Sequence, residues 1–252
     1  MQTLGIIGSG MIGSQVARLA TAANMNVIIS NSRGPETLSG FVRELGPLAR
    51  AATTEALAAE ADIIVIAIPF VAYSRLSPEM LAGKTVIDTM NYYPERDGEL
   101  PEVKTAEIAS SELVQAHLKH SFVVRAVNNM DWVRLFTRAR LPGSADRSAL
   151  PVAANAEHAK SLAIALLDSL GYDAVDMGAL ADSWRSEPTM PAYVIPYIGT
   201  IPRSFDDTSE REWFLKAPGA TVSADALRKL LARAIRHDRM FGTTASLAGA
   251  SL

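Results

Sequence analysis

The run Gly8-Ser9-Gly10-Met11-Ile12-Gly13 constrains this chain more than any other feature, because of what flanks it. An apolar stretch, Leu4 to Ile7, precedes it, and Ile12, Val16 and Leu19 follow at helical spacing. Strand, glycine turn, helix is the setting in which G-x-G-x-x-G reads as a dinucleotide-binding turn; the alternative is a structural turn with no ligand. In the binding reading each glycine has its own task. Gly8 permits the tight turn, and Gly10 lacks the Cβ that would block a pyrophosphate. Gly13 lets the helix pack close to the strand, with the first helical N–H groups aimed at the phosphates.

The second strand bears on which dinucleotide. Val27-Ile28-Ile29 runs into Ser30-Asn31-Ser32-Arg33-Gly34-Pro35, with no acid before Glu36. An NAD-binding chain usually places Asp or Glu here for the ribose 2′-hydroxyl. A carboxylate would repel a 2′-phosphate, whereas a guanidinium and a hydroxyl bind one through charge-assisted hydrogen bonds. Ser32 and Arg33 therefore favour NADP over NAD, and Asn31 is a candidate contact to the ribose or adenine edge. The competing reading makes Arg33 an ordinary solvated charge in a turn closed by Gly34-Pro35.

Composition narrows the class. At 252 residues the chain can bury a full core in one large or two smaller domains. A net charge of −3 gives no basis for expecting nucleic acid as a partner. The absence of cysteine excludes disulfides, thiol catalysis and cysteine metal sites, and fits a cytoplasmic protein. Met1-Gln2-Thr3 leads straight into the first strand, so no signal or transit peptide is expected. The longest apolar stretch, Ile63 to Ala72, is too short to span a bilayer and contains Pro69, so no membrane partner is expected. The four histidines, His117, His120, His158 and His237, show no metal-ligand spacing, and no metal is expected. His117 falls on an apolar helix side and reads as a core residue; the other three read as surface residues.

The first part of the chain alternates strand and helix patterns. This predicts an α/β fold, a Rossmann-like doubly wound and mostly parallel sheet, with a smaller, mainly helical C-terminal region. Strands are expected at 48–52, 63–68, 85–88, 122–126, 150–154 and 172–176, beyond the first two. Thr53 or Thr54 and Ser110 are expected helix caps, and Gly171 should end the helix that starts at Ala156. The predicted organisation is an NADP-binding domain over 1–178 and a C-terminal loop and helix region over 179–252, serving a substrate pocket, a dimer contact or both. Pro188, Pro191, Pro196, Pro202 and Pro218 punctuate that second region, which also holds Trp184, Tyr193, Tyr197 and Trp213. Its aromatics read first as core or dimer contact and second as a substrate wall. A last helix from Ser223 carries Leu227, Leu230, Leu231, Ala234 and Ile235 on one side. A homodimer partner would cover that face, unless the helix folds back on its own domain.

Several segments together resemble the coenzyme-F420-dependent NADP oxidoreductases and their dinucleotide-binding relatives. They are the glycine turn, Asn31-Ser32-Arg33-Gly34-Pro35-Glu36-Thr37-Leu38, Ala67-Ile68-Pro69-Phe70 and Asp88-Thr89-Met90-Asn91-Tyr92-Tyr93-Pro94. Further along stand Arg125-Ala126-Val127-Asn128-Asn129, Ala149-Leu150-Pro151-Val152-Ala153 and Trp184-Arg185-Ser186-Glu187-Pro188. The resemblance implies that Gly8, Ser9, Gly10, Met11 and Ile12 contact the pyrophosphate and that Ser32 and Arg33 hold the 2′-phosphate. It places Ile68 and Pro69 near the nicotinamide ribose, and it implies direct hydride transfer to a deazaflavin ring stacked on the nicotinamide. The chain departs from the family in its proline and aromatic segment and its tail. The co-substrate is therefore left open among coenzyme F420, a flavin and a small organic acceptor.

Hydride transfer requires near-attack placement and exclusion of water. A deazaflavin or flavin ring absorbs the electrons itself, so the protein mainly positions and tunes. A carbonyl or imine acceptor would need a proton donor. No Tyr is followed four residues later by Lys, and no His motif stands beside an expected cofactor loop. The catalytic residue stays unknown, with Asp88, Asn91 and Asn129 as candidates. Asp88 ends the fifth strand, where turn or cap duty is the rival role; Asn91, Tyr92 and Tyr93 follow in a loop that could equally serve packing. The expected function is an NADP-dependent oxidoreductase, and the alternative is a non-catalytic NADP(H)-binding sensor or scaffold.

Overall fold

The computed structural model describes residues 2–104, 107–202 and 207–236; His237 and the tail after it lie outside them. An eight-stranded sheet forms the centre, in the order β3-β2-β1-β4-β5-β6-β7-β8. Its strands are β1 (Thr3–Ile7), β2 (Asn26–Ser30), β3 (Ala49–Ala51), β4 (Ile63–Ile66), β5 (Thr85–Asp88), β6 (Phe122–Arg125), β7 (Ala149–Ala154) and β8 (Asp173–Gly178). All neighbours pair parallel except β6 and β7, which run antiparallel. The helices in chain order are α1 (Met11–Ala22), α2 (Ser39–Leu45), α3 (Thr54–Glu60), α4 (Pro94–Asp97), α5 (Pro101–Lys104), α6 (Ser110–His117), α7 (Trp132–Thr137), α8 (Glu157–Ser169), α9 (Ile195–Ile198), α10 (Asp207–Lys216) and α11 (Ala224–Ala232). The expected α/β, Rossmann-like, mostly parallel architecture is present.

Side-chain alternation along each strand sorts the core into two layers, one on each face of the sheet. Ile6, Val27, Ile29, Ile63, Val65, Ile87 and Val124 face the layer that α1 and α8 cover with Val16, Leu166 and Leu167. Ile7, Ile28, Ile64, Ile66, Val86 and Val123 face the other, where Leu57 of α3 and Val114 of α6 close the layer. This explains the unbroken apolar runs: every residue of β4 is buried, as a strand covered on both faces must be. Each such fully buried aliphatic side chain contributes about 1.5–3 kcal/mol.

The strand order reverses direction between β1 and β4, and the loops after those two strands open a crevice at their carboxyl ends, where doubly wound folds bind ligands. β4 stops at Ile66 rather than the expected Ile68. Ala67 N still bonds Ile7 O at 2.8 Å, and Pro69, with no N–H, turns the chain out of the ladder. Thr53 caps α3 by accepting from Ala56 N at 3.3 Å. Ser110 is not the cap predicted for its helix. It is the first helical residue, Ala109 holds the cap position, and the Ser110 hydroxyl is taken by Glu187 at 2.6 Å. Gly171 follows α8 at φ +99°, a conformation that favours glycine.

The segment after β8 packs into the same core. Ala192, Tyr197, Val222, Leu227 and Leu231 join the layer that holds Leu4 and Ile6. The Tyr197 hydroxyl donates to Ala149 O at 2.8 Å, so a residue from this segment pins the start of β7. α11 is capped by Ser223, which accepts from Ala226 N at 3.2 Å, and its apolar face lies against β7 and β8 of its own chain. The fold-back alternative therefore describes α11, and the argument for a dimer drawn from its uncovered face loses its basis. Ile235, 76% exposed, stands apart from that face. Among the described residues no helix is long and apolar enough to cross a membrane.

Candidate dinucleotide site and the loops beside it

The three glycines divide their tasks in space as well as in sequence. Gly8 has φ +110°, and a Cβ there would overlap the backbone of Ala67, in the loop after β4. A Cβ on Gly13 would overlap the carbonyl oxygen of Gly8, so α1 approaches β1 only because that position is bare. Gly10 differs: a Cβ would meet nothing within 4 Å. Its missing side chain leaves open space in front of the helix rather than solving a packing problem. α1 begins at this point with no side-chain cap and no acid in its first turn. The N–H groups of Met11, Ile12 and Gly13 thus stand at a positive helix end with no carboxylate from the helix's own first turn to answer it. Ser9 is held by its carbonyl, which accepts from the Ser14 hydroxyl at 3.0 Å.

The tip of β2 lies beside this turn. Gly8 N donates to Ser30 O at 2.9 Å, and Asn31 Nδ2 donates to the Thr37 hydroxyl at 3.0 Å. Asn31 Oδ1 accepts from Arg33 N at 2.9 Å, an Asx turn that sets the direction of the next residues. Ser32 and Arg33 are exposed, and no ion pair to the Arg33 guanidinium occurs among the described residues. Ile68 packs beside the turn, its Cγ2 3.0 Å from where a Cβ on Gly8 would stand, while Pro69 is exposed and Phe70 fully buried. The structure thus sets the tip of β2 and the loop after β4 on the two sides of the glycine turn.

The three catalytic candidates fall on the next two loops. Asp88 and Arg125 are register partners at the ends of β5 and β6, and both are fully buried. Asp88 Oδ2 accepts from Arg125 Nη1 at 3.2 Å and from the Ser111 hydroxyl at 2.7 Å, while Oδ1 accepts from Met90 N at 2.9 Å. With both oxygens engaged and the side chain fully buried, Asp88 holds the loop in place. Arg125 continues to Met90 O and to Asn91 Oδ1 at 2.9 Å. Asn91 is partly buried and donates to Asn128 O at 2.8 Å. Asn129 is fully buried and donates to Ala192 O and the Tyr197 hydroxyl, both at 2.9 Å. Asn91 and Asp88 are joined through Arg125; Asn129 belongs to a separate contact with the C-terminal segment.

Arg125 and Tyr193 are the residues that sequence reasoning underrated. Arg125 had a legible signal: β5 and β6 are apolar runs that end in opposite charges. Tyr193 had none, since it reaches the β5 loop from the far end of the chain. His117 is half-buried rather than a core residue, with Nε2 at 2.8 Å from Leu76 O. His120 and His158 are exposed. Trp184 packs with Ala109, Met190 and Ala234. Among the described residues no group of three acids or histidines is placed to hold a metal.

This fold and crevice define a doubly wound dinucleotide-binding protein. Residues 3–92 match the family described as NADP oxidoreductase, coenzyme F420-dependent. The family is one of nicotinamide-dinucleotide oxidoreductases. The protein YjhV of Escherichia coli (strain K12) is 33% identical over 86 residues, which span 33% of this chain and 63% of that one. The structure of protein SMa0349 from Sinorhizobium meliloti superposes with a TM-score of 0.68 at 27% identity, covering 77% of this chain and 94% of that one. A candidate F420-dependent NADP-reductase from Arthrobacter sp. FB24 shares the fold, with a TM-score of 0.59 at 24% identity over 71% of this chain and 86% of its own.

Proposed function

We propose that this chain is an NADP-dependent oxidoreductase that passes hydride between NADP(H) and an acceptor, either of deazaflavin or flavin type or a small organic molecule. One observation carries the reading: an open glycine turn stands beside an exposed guanidinium, Arg33, that has no carboxylate partner among the described residues. The residues fit the cofactor. The bare face at Gly10 leaves room for a pyrophosphate, and the N–H groups of Met11 and Ile12 are free to bind it. Ser9 lines the turn, and Gly8 and Gly13 keep it tight. Ser32 and Arg33 supply a hydroxyl and a charge for a 2′-phosphate, while Asn31 orients them and faces the ribose. Ile68 and Pro69 form an apolar wall for the nicotinamide end, and such a wall excludes water. When bound, the nicotinamide supplies or receives the hydride.

Mixing the protein with NADPH and a panel of oxidised coenzyme F420, FMN and small carbonyl compounds tests this directly. Oxidation of NADPH by at least one member is expected. NADPH binding without oxidation by any member would overturn the enzymatic reading in favour of a sensor or scaffold.

A further inference from the structure

A second polar cluster lies beyond the cofactor contacts. The hydroxyls of Tyr93, in the loop after β5, and Tyr193, in the segment before α9, are hydrogen-bonded to each other. Asn91 Nδ2 approaches the Tyr193 hydroxyl at 3.5 Å as a further donor. Burial pushes both phenols above their ordinary value, so both are neutral throughout the physiological range. Two neutral hydroxyls carry two protons, and one of these lies between them. Among the described residues no acceptor is bonded to the other. One partly buried O–H is left over.

The cluster is placed beside the proposed nicotinamide wall. Asp97 accepts from Tyr93 N at 3.0 Å and from Val71 N at 3.4 Å. A single carboxylate therefore clamps the Tyr93 loop to the segment that starts at Pro69. From the other side, Tyr193 is held by a γ-turn. Ile195 N donates to Tyr193 O at 2.6 Å across Val194, which adopts φ +49° and ψ −58°. Val194 N donates to Asn129 O at 2.8 Å, and Val127 of that same loop has φ +61°. Positive φ at a β-branched residue costs roughly 1–3 kcal/mol and persists only where surrounding structure enforces it, most often at functional sites. Here Val194 adjoins Tyr193 itself, and Val127 stands in the loop after β6 that anchors Val194. The charges nearby are already answered: Arg96 lies over the Tyr93 ring at 5.0 Å and pairs with Asp97 at 2.8 Å, and Arg125 pairs with Asp88. Neither guanidinium is free to select a carboxylate.

We propose that the Tyr93–Tyr193 pair is the acceptor subsite, whose spare hydroxyl binds an uncharged carbonyl oxygen or imine nitrogen conjugated to the carbon that takes the hydride. This rests on the oxidoreductase reading above. The acceptor carbon gains a C–H bond together with both electrons of the C–H bond broken at the dihydronicotinamide. The displaced π pair moves onto the oxygen or nitrogen, which takes the phenolic proton. The phenol regains a proton from water through its partner hydroxyl. NADPH is oxidised to NADP+ and the acceptor is reduced by one hydride and one proton.

The test compares the full chain with Tyr93→Phe, Tyr193→Phe and the double variant, by NADP+ titration and by fluorescence titration of the NADP+ complex with oxidised FMN and coenzyme F420. Each single variant keeps one hydroxyl with its proton, so each is expected to bind the better probe about threefold more weakly, and the double variant about tenfold or more, a loss of hydrogen-bond size. NADP+ affinity should be unchanged in all three. Wild-type affinity for both probes in the double variant, or in both single variants should the double fail to fold, overturns the subsite. So does a wild-type NADP+ complex that binds neither probe, an outcome that leaves the cofactor reading standing. A wild-type chain that does not bind NADP+ overturns both.

Discussion

The side-chain amide of Asn31 donates to the hydroxyl of Ser9 at 3.4 Å, tying the tip of β2 to the turn that follows β1. The same side chain accepts from Arg33 N, so one residue sets the spacing between the pyrophosphate turn and the cation at the strand tip. Asn31→Ala should therefore weaken NADPH by about 1 kcal/mol, the size of a lost neutral hydrogen bond, while hardly moving the melting temperature. Isothermal titration beside thermal unfolding checks this; a large loss of stability with unchanged affinity would show a purely architectural role.

Gly10 and Gly13 make a paired prediction with opposite signatures. A Cβ at Gly10 meets open space, and its φ of −74° suits any L-residue. Gly10→Ala should fold with wild-type stability and lose dinucleotide affinity, because the methyl enters the volume reserved for the pyrophosphate. Gly13→Ala drives a methyl into Gly8 O, an overpacking cost of about 1–3 kcal/mol. Urea unfolding of the two variants separates them, and equal stability for both would contradict the assignment.

The buried Asp88–Arg125 pair predicts a stability effect rather than a catalytic one. Removing one partner leaves an uncompensated buried charge, which costs about 3–5 kcal/mol. Asp88→Ala should show that loss in urea, whereas an Asp88→Ala protein of normal stability with abolished turnover would identify Asp88 as chemically active.

Glu187 carries a pH prediction. It is buried, accepts from Ser110 N at 2.8 Å through Oε1, and has Oε2 without a partner among the described groups. Burial pushes its carboxyl up from the ordinary value of 4.5, opposed by Arg125 and by the Ser110 bonds. A raised folded value means the folded state binds the proton more tightly than the unfolded one. The resulting stability is fully present below pH 4.5 and is lost as pH rises through the higher folded value. Glu187→Gln should flatten the decline that sets in above pH 4.5. An unchanged stability profile in the variant would contradict the raised value for Glu187.

How much was legible beforehand depended on sequence distance. β1, the glycine turn and α1 are contiguous, and each carries a local signal in periodicity or backbone demand. The cap of α3 was readable as Thr53 or Thr54 for the same reason, since a cap needs only the next turn. Ser110 was misread because its hydroxyl is captured by Glu187, 77 residues away. Tyr93 and Tyr193 meet across 100 residues, and nothing near either predicts the other. The apolar run of β7 looks the same whether it pairs parallel or antiparallel with β6. The Leu227 and Leu231 stripe looks the same whether its own sheet or a second chain covers it.

The central claim is that Arg33 grips a 2′-phosphate. Titration of wild type and Arg33→Ala with NADPH and NADH tests it most directly. The account predicts tighter binding of NADPH by the wild type, and a loss of about 1.5–3 kcal/mol for NADPH alone in the variant, as for a hydrogen bond to a charged group. Equal losses for both dinucleotides, or no NADPH binding by the wild type, would contradict it.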